Sequence, residues 1–393
     1  MQVSSEIIHL AKKLISFPTI SNNSNLELIN YVVDYLTSHG INSTIQLNEV
    51  GNKANLIATI GPTHISGLIL AGHTDVVPVE NQNWSGDPFS PWINNGRLHG
   101  RGAADMKGFI AVVLSLVPLL IQSNMEIPLH IVLTYDEEIG CFGAYNLIKL
   151  FQSPTFPKPI ACLVGEPTNM HIINAHKGMH LLRTLTKSCT GHSSKPLKED
   201  TSLMVISELI LFLKELNKFY EQAPVSPSSE KFEYPYMTIN MGRLISGTAI
   251  NIIPAESELL WEYRTIPEVD DNELLHKFLN HCANKNIGSI SINTEQLASV
   301  PPLSPLGNEE LTRNALRLNG EKEPQHADFC TEAGIYQQLL GVPTILCGPG
   351  HIEQAHKEDE YVEIEQLCNA EILLSKMIKE ICCNNILGAV LDN

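Results

Sequence analysis

Short apolar runs alternate with longer amphipathic stretches through the first half of the chain. "NLIATI" (from Asn55), "GLILAG" (from Gly67), "HIVLTY" (from His130) and "IACLVG" (from Ile160) are continuous runs of strand length, and "PTILCG" (from Pro343) repeats the pattern late. Such runs, separated by helical stretches, predict a mostly parallel sheet buried on both faces by helices. "FIAVVLSLVPLLI", from Phe109, reads as one of those helices. It is too short to span a bilayer, and it contains Pro118. At the start, Ile7, Ile8, Ala11, Leu14 and Ile15 recur at helical spacing with charges between them. That predicts an amphipathic helix and not a signal sequence.

A segment of different character interrupts the pattern. "MHLLRTLTK" reads as a strand and "TSLMVISELILFLKEL" as a helix. "YMTINMGRLI" and "ESELLWEYRT" alternate as strands do, "DNELLHKFLNHCANK" is helical, and "GSISINT" is a last strand. The order β-α-β-β-α-β predicts a ferredoxin-like α+β unit over residues 179–293, inserted into an α/β domain formed by 1–178 and 294–393. Between its first helix and second strand lies a Pro/Ser-rich loop, "YEQAPVSPSSEKFEYP".

With 43% hydrophobic and 18% charged residues the chain is globular. A formal net charge of −17 argues against nucleic acid or an anionic membrane as main partner and is compatible with metal ions or an amine-bearing substrate. Nine cysteines, an odd number with no C-x-x-C pair, suit a reduced cytoplasmic protein.

The acids acquire meaning from where they stand. "GLILAGHTDVVP" places His73 and Asp75 just beyond a strand, "IVLTYDEE" places Glu137 and Glu138 beyond another, and "ACLVGEPT" places Glu166 beyond a third. "PTILCGPGHIEQAH" leads from a fourth to His356, and Asp105 in "GRGAADMKGF" is expected to open a helix. Ligand sites of open α/β sheets lie outside the carboxyl ends of the strands. One His-x-Asp alone reads as a surface pair, and Asp105 alone as a helix cap. Five segments together deliver a set of carboxylates and histidines that is costly unless a cation neutralises it. Imidazoles and carboxylates without a thiolate suit Zn²⁺, Co²⁺ or Mn²⁺. A carboxylate could bridge two such ions, and one acid left unligated is what a general base requires. Adjacent residues on extended chain point opposite ways, so Glu137 and Glu138 need not share a task.

"AGHTDVVP", "GRGAADMKGF", "TYDEEIG", "VGEPT" and "GHSS" together resemble the dinuclear-metal aminoacylase/carboxypeptidase family, the M20 peptidases, over nearly the whole chain. Acetylornithine deacetylases, succinyl-diaminopimelate desuccinylases and several peptidases are among its members. The resemblance implies a metal-dependent amide hydrolase holding two divalent ions, expected to be Zn²⁺, with Co²⁺ or Mn²⁺ as alternatives. His73 and Glu166 would hold one ion, Glu138 and His356 the other, and Asp105 would bridge them. Asp75 would bond the far nitrogen of His73, and Glu137 would be the general base. The peptide after Asp105 would be cis. His192, in the insert, would donate to the oxyanion from its own chain or from a second subunit.

The insert would then act as a lid and dimerisation domain of a homodimer. "HKGMH", "GHSSKP" and "CTEAG" with "GPGHIEQAH" are most similar to the acetylornithine deacetylase branch, which implies N2-acetyl-L-ornithine as substrate. A succinylated diamino acid, other N-acyl amino acids or a dipeptide are the alternatives, and a non-catalytic metal-binding protein is the rival of another class. Arg264 could hold a substrate carboxylate or form an inter-strand salt bridge. Asn251 is a further substrate candidate. Gly348 and Gly350 could admit substrate close to the backbone or simply make a turn.

Overall fold

A computed structural model describes residues 4–153, 156–195, 200–285 and 288–384. Pro196, the end of the "GHSSKP" segment, lies outside them. The chain divides into two compact units. One comprises Met1–Ala175, Pro305–His326 and Thr331–Asn393, and the other His176–Ser304 with Ala327–Cys330.

The first unit is built on an eight-stranded sheet. Its strands run in the order Ser43–Leu47, Ala54–Ile60, Leu129–Thr134, Leu68–His73, Ala161–Val164, Thr344–Leu346, Ile173–His176 and Gln325–Ala327. The centre is parallel: Leu68–His73 pairs in parallel with Leu129–Thr134 on one side and Ala161–Val164 on the other. Thr344–Leu346 continues that direction. Every residue of these four strands is buried, as unbroken apolar runs require. Antiparallel strands flank the parallel centre.

Helices Ser5–Ile15, Gly108–Leu120 and Ile364–Ile378 pack together over the sheet, and Phe142–Phe151 packs with Ala333–Leu340. Ser4 caps the first by accepting the Glu6 N–H at 3.2 Å, and its apolar stripe is buried. Gly108–Leu120 contains Pro118, which cannot bond the Leu114 carbonyl. The Tyr35 hydroxyl donates to that carbonyl instead, at 3.1 Å. Together with the turn before it, this helix reaches 18 residues (Ala103–Leu120), and 83% of that span is buried within the protein. The helix that the run itself forms, Gly108–Leu120, has 13 residues, and the burial of the longer span marks it as part of the core.

The second unit carries a four-stranded antiparallel sheet in the order Thr238–Ser246, Glu256–Thr265, Gly178–Lys187, Ser291–Val300. Helices Ser202–Glu221 and Glu273–Ala283 pack on each other. The element order is that of a ferredoxin-like unit. Its last strand runs to Val300, past 293, because it stays paired with Gly178–Lys187 along its length, from Ser291↔Lys187 to Val300↔Met179.

Candidate metal centre

Five side chains of the first unit converge beyond the parallel strands. Asp105 stands in the middle, with one oxygen toward each histidine. Its Oδ1 is 2.9 Å from His73 Nε2 and its Oδ2 is 3.3 Å from His356 Nε2. Glu166 Oε1 approaches His73 Nε2 to 4.0 Å, and Glu138 Oε2 lies 3.0 Å from His356 Nε2. His73, Asp105 and Glu166 offer donor atoms all within 4.8 Å of one another, and so do Asp105, Glu138 and His356. Two triads sharing one carboxylate are the arrangement that two neighbouring cations need.

The local fold explains how each is aimed. His73 ends its strand, and its Nδ1 donates to the Asp75 carbonyl at 2.9 Å, leaving Nε2 to face Asp105. The Asp75 carboxylate stands 3.6 Å from that ring. It accepts the Ser21 hydroxyl at 2.8 Å and the backbone N–H groups of Glu137 and Glu138 at 3.1 and 3.3 Å. Asp75 thus holds the ring through its carbonyl and the acidic turn through its carboxylate.

Asp105 does not open the helix, contrary to the expectation from sequence. It lies in an irregular turn with extended dihedrals (φ −121°, ψ 91°), and helix Gly108–Leu120 begins three residues later. The Asp105–Met106 peptide is cis. The turn is organised by the buried Glu360. Its carboxylate accepts the N–H groups of Gly102, Ala104 and Asp105 at 3.0, 2.9 and 3.1 Å and pairs with Arg101 at 2.8 Å. Glu360 follows His356 by four residues, so it ties the Asp105 turn to the segment that carries His356. A second buried acid, Glu332, accepts the Thr134 hydroxyl at 2.7 Å, at the end of the strand leading to Glu137. Neither acid was singled out from the sequence, where Glu360 is one member of the charged run "KEDE".

Unneutralised, this cluster carries more negative charge than its histidines balance. Burial pushes the Glu137 carboxyl well above the usual carboxylate range, and the Glu166 charge adds to the rise. Burial and then Asp105 raise Glu166 in the same way. Burial and Asp105 push Glu138 up to about 7, against the pull of His356. Burial opposes ionisation of Asp105 too, but hydrogen bonds from His356 and His73 outweigh it and hold this carboxyl well below its ordinary value. Glu166 Oε1 is buried with no hydrogen-bond partner. A buried, unpaired carboxylate oxygen within a set of acids and imidazoles is a donor set that fits divalent cations.

Neither triad includes Glu137. Its Oε1 lies 3.7 Å from the Cys141 thiol. Gly348 and Gly350 stand where the loops carrying Glu166 and Asp105 approach closely. A Cβ on Gly348 would fall 2.2 Å from the Gly165 carbonyl oxygen, and one on Gly350 would fall 2.8 Å from the Ala104 Cβ.

In the second unit, His192 is exposed and pairs with Ile252 in a short antiparallel ladder. Its Nδ1 accepts the Ser194 backbone N–H at 3.1 Å, so a neutral ring carries its proton on Nε2 and presents a donor. Asn251 is its neighbour: the Asn251 carbonyl accepts the Ser193 N–H at 3.2 Å. Arg264 donates to Glu262, two residues away on the same strand, at 3.1 Å.

The profile of peptidase family M20/M25/M40 matches residues 69–380. An acetylornithine deacetylase of Proteus mirabilis (strain HI4320) is 34% identical over 386 residues, covering 95% of this chain and 96% of that protein. One of Pasteurella multocida (strain Pm70) is 35% identical over 391 residues, with 95% and 98% covered. Among solved structures, an M20 family metallo-carboxypeptidase from Sulfolobus solfataricus superposes with a TM-score of 0.76 at 18% identity, covering 96% of this chain and 99% of that one. A dinuclear metal binding M20 peptidase from Bacillus subtilis gives 0.65 at 14% identity, with 94% and 96% covered.

Proposed function

The chain belongs to peptidase family M20/M25/M40, and from that premise we propose that it is a metal-dependent hydrolase converting N2-acetyl-L-ornithine to L-ornithine and acetate. The carrying observation is Asp105, which turns one oxygen toward His73 and the other toward His356, with Glu137 left outside both triads. The acetyl-ornithine specificity rests on relatives of that name at 34% and 35% identity over 95% of the chain.

His73 and Glu166 would hold one divalent ion and Glu138 and His356 the other, with Asp105 shared. Zn²⁺ is the metal we expect for this donor set. When bound it would supply polarisation of a carbonyl and a lowered pKa for water. Glu137, unligated and carrying a raised pKa, takes the proton of the attacking water and delivers it to the leaving amine nitrogen. His192 Nε2–H donates to the oxyanion that forms as the carbonyl carbon becomes tetrahedral. Arg264 would leave Glu262 for the substrate carboxylate, beside Asn251, and the backbone at Gly348 and Gly350 would border the substrate. We further propose a homodimer, paired through the edge of the second unit's sheet, and a reducing cytoplasmic setting, to which nine free cysteines are suited.

Assay of acetylornithine against succinyl-diaminopimelate tests the reading. Turnover of acetylornithine that EDTA abolishes and Zn²⁺ restores is expected. Preference for the succinylated substrate would overturn the acyl assignment, and EDTA-insensitive turnover would overturn the metal.

A further inference from the structure

The acidic turn that carries Glu137 and Glu138 is held by more than Asp75. Asp136, just before it, is buried and sits in the left-handed region at φ 55°, which a non-glycine residue rarely adopts without something to hold it. Its carboxylate pairs with Lys53 Nζ at 2.5 Å, and both side chains are about nine-tenths buried, at 10% and 9% exposure. The same ammonium donates to the Ser21 carbonyl. Ser21 in turn donates its hydroxyl to Asp75 Oδ2 at 2.8 Å, and Asp75 Oδ1 accepts the Glu137 N–H at 3.1 Å. The Asp136–Glu137 peptide closes the circuit. Lys53, Ser21, Asp75 and Asp136 therefore form a ring of bonds that begins and ends at the base of Glu137.

We propose that Lys53 is a positioning residue for the reaction: through the Asp136 carboxylate and the Ser21 carbonyl it fixes the turn that aims Glu137 and Glu138. This rests on the reading of Glu137 as general base and of Glu138 as a metal ligand. The geometry explains why a cation belongs at this point. The Asp75 carboxylate already spends its oxygens on Ser21 and two backbone N–H groups. Without the ammonium, the Asp136 carboxylate and the Ser21 carbonyl would both lose the donor that links them. With those two bonds gone the ring is open on the Asp136 side, and the turn that carries the two glutamates would shift. Reacting groups displaced by about 1 Å lose about 10²-fold in rate.

Removing Lys53 alone leaves a buried unpaired acid, so the test uses the neutral pair Lys53→Met/Asp136→Asn, with Lys53→Arg as the conservative variant. At saturating Zn²⁺ the neutral pair is expected to lower kcat for acetylornithine by about 10²-fold with KM within about threefold. Chelator competition should show one of two Zn²⁺ ions held about tenfold more weakly. Lys53→Arg should recover most of both. A purely structural pair would lower the unfolding temperature and move neither quantity. A folded neutral-pair variant with parental kcat overturns the proposal. Glu137→Gln is assayed alongside: if it turns over like the parent, the base assignment fails, and the zinc competition alone then decides the ring, with parental affinity overturning it.

Discussion

Gly348→Ala tests whether the metal centre depends on how closely two loops approach. The added Cβ would lie 2.2 Å from the Gly165 carbonyl oxygen and 2.6 Å from that of Glu166. Both obstacles are backbone, so no side chain can rotate away. The loops are also stitched together: Thr168 and Met170 donate their N–H groups to the Gly348 carbonyl at 3.3 and 3.0 Å. Relieving the overlap demands about 1 Å of separation, and overpacking of this kind costs about 1–3 kcal/mol. That corresponds to a fall in Tm of about 2–12 °C for a unit of this size. The displaced residue next in line is Glu166, so the ion that we propose it shares with His73 should weaken while the other is retained. Gly320→Ala is the control, since nothing lies within 4 Å of its Cβ position at φ 77°. It should lose only the left-handed backbone preference, about 1–2 kcal/mol, with metal binding intact. Zinc equivalents after dialysis, measured by atomic absorption beside thermal melts, separate the two. Full zinc retention in Gly348→Ala would refute the argument that this close approach sets Glu166.

Asp105→Ala should weaken both ions together and leave fewer than two equivalents on the dialysed protein; full occupancy would mean that Asp105 is no bridge. Glu137→Gln should keep its metal and lose at least about 10²-fold in turnover, and near-parental turnover would remove Glu137 as the base. His192→Ala should lower kcat by about 10²–10³ with little change in KM or metal content. Mixing it with Glu137→Gln should restore activity if the donor comes from a second subunit, whereas no recovery after verified subunit exchange points to the same chain. Burial pulls the His130 pKa down to about 4, so the fold favours the neutral ring. The unfolded chain takes up its proton as pH falls below about 6.5 and the folded one only near 4, so stability is full above 6.5 and is lost across that window. The loss is about 3 kcal/mol, and His130→Leu should flatten the acid limb of Tm against pH; an unchanged limb would show that other groups set it.

Five strands of the first unit's eight-stranded sheet, the ferredoxin-like order of the second unit and the acids at the strand ends are legible along the chain, because they rest on local signals; Ser43–Leu47, Ile173–His176 and Gln325–Ala327 are not among the runs read from it. An unbroken apolar run such as "LILAG" can satisfy its side chains only in the middle of a covered sheet, and a polar residue following it must stand at the sheet's end. His73, Glu166 and Glu138 were placed by that rule, and the resemblance to a known family supplied their pairing. What the chain does not display is which distant groups hold them. Lys53 and Asp136 are 83 residues apart, and Arg101 and Glu360 are 259 apart. Neither lysine nor glutamate differs in local pattern from its exposed neighbours. Asp105 shows the same limit from the other side: its neighbours suggest a helix cap, yet Glu360 draws its N–H into a turn that points the carboxylate between two histidines. Periodicity and side-chain chemistry are properties of a few consecutive residues, so sequence determined the elements and the donor set. The aim of each donor comes from hydrogen bonds closed across the fold, and those exist only once the chain has brought their ends together.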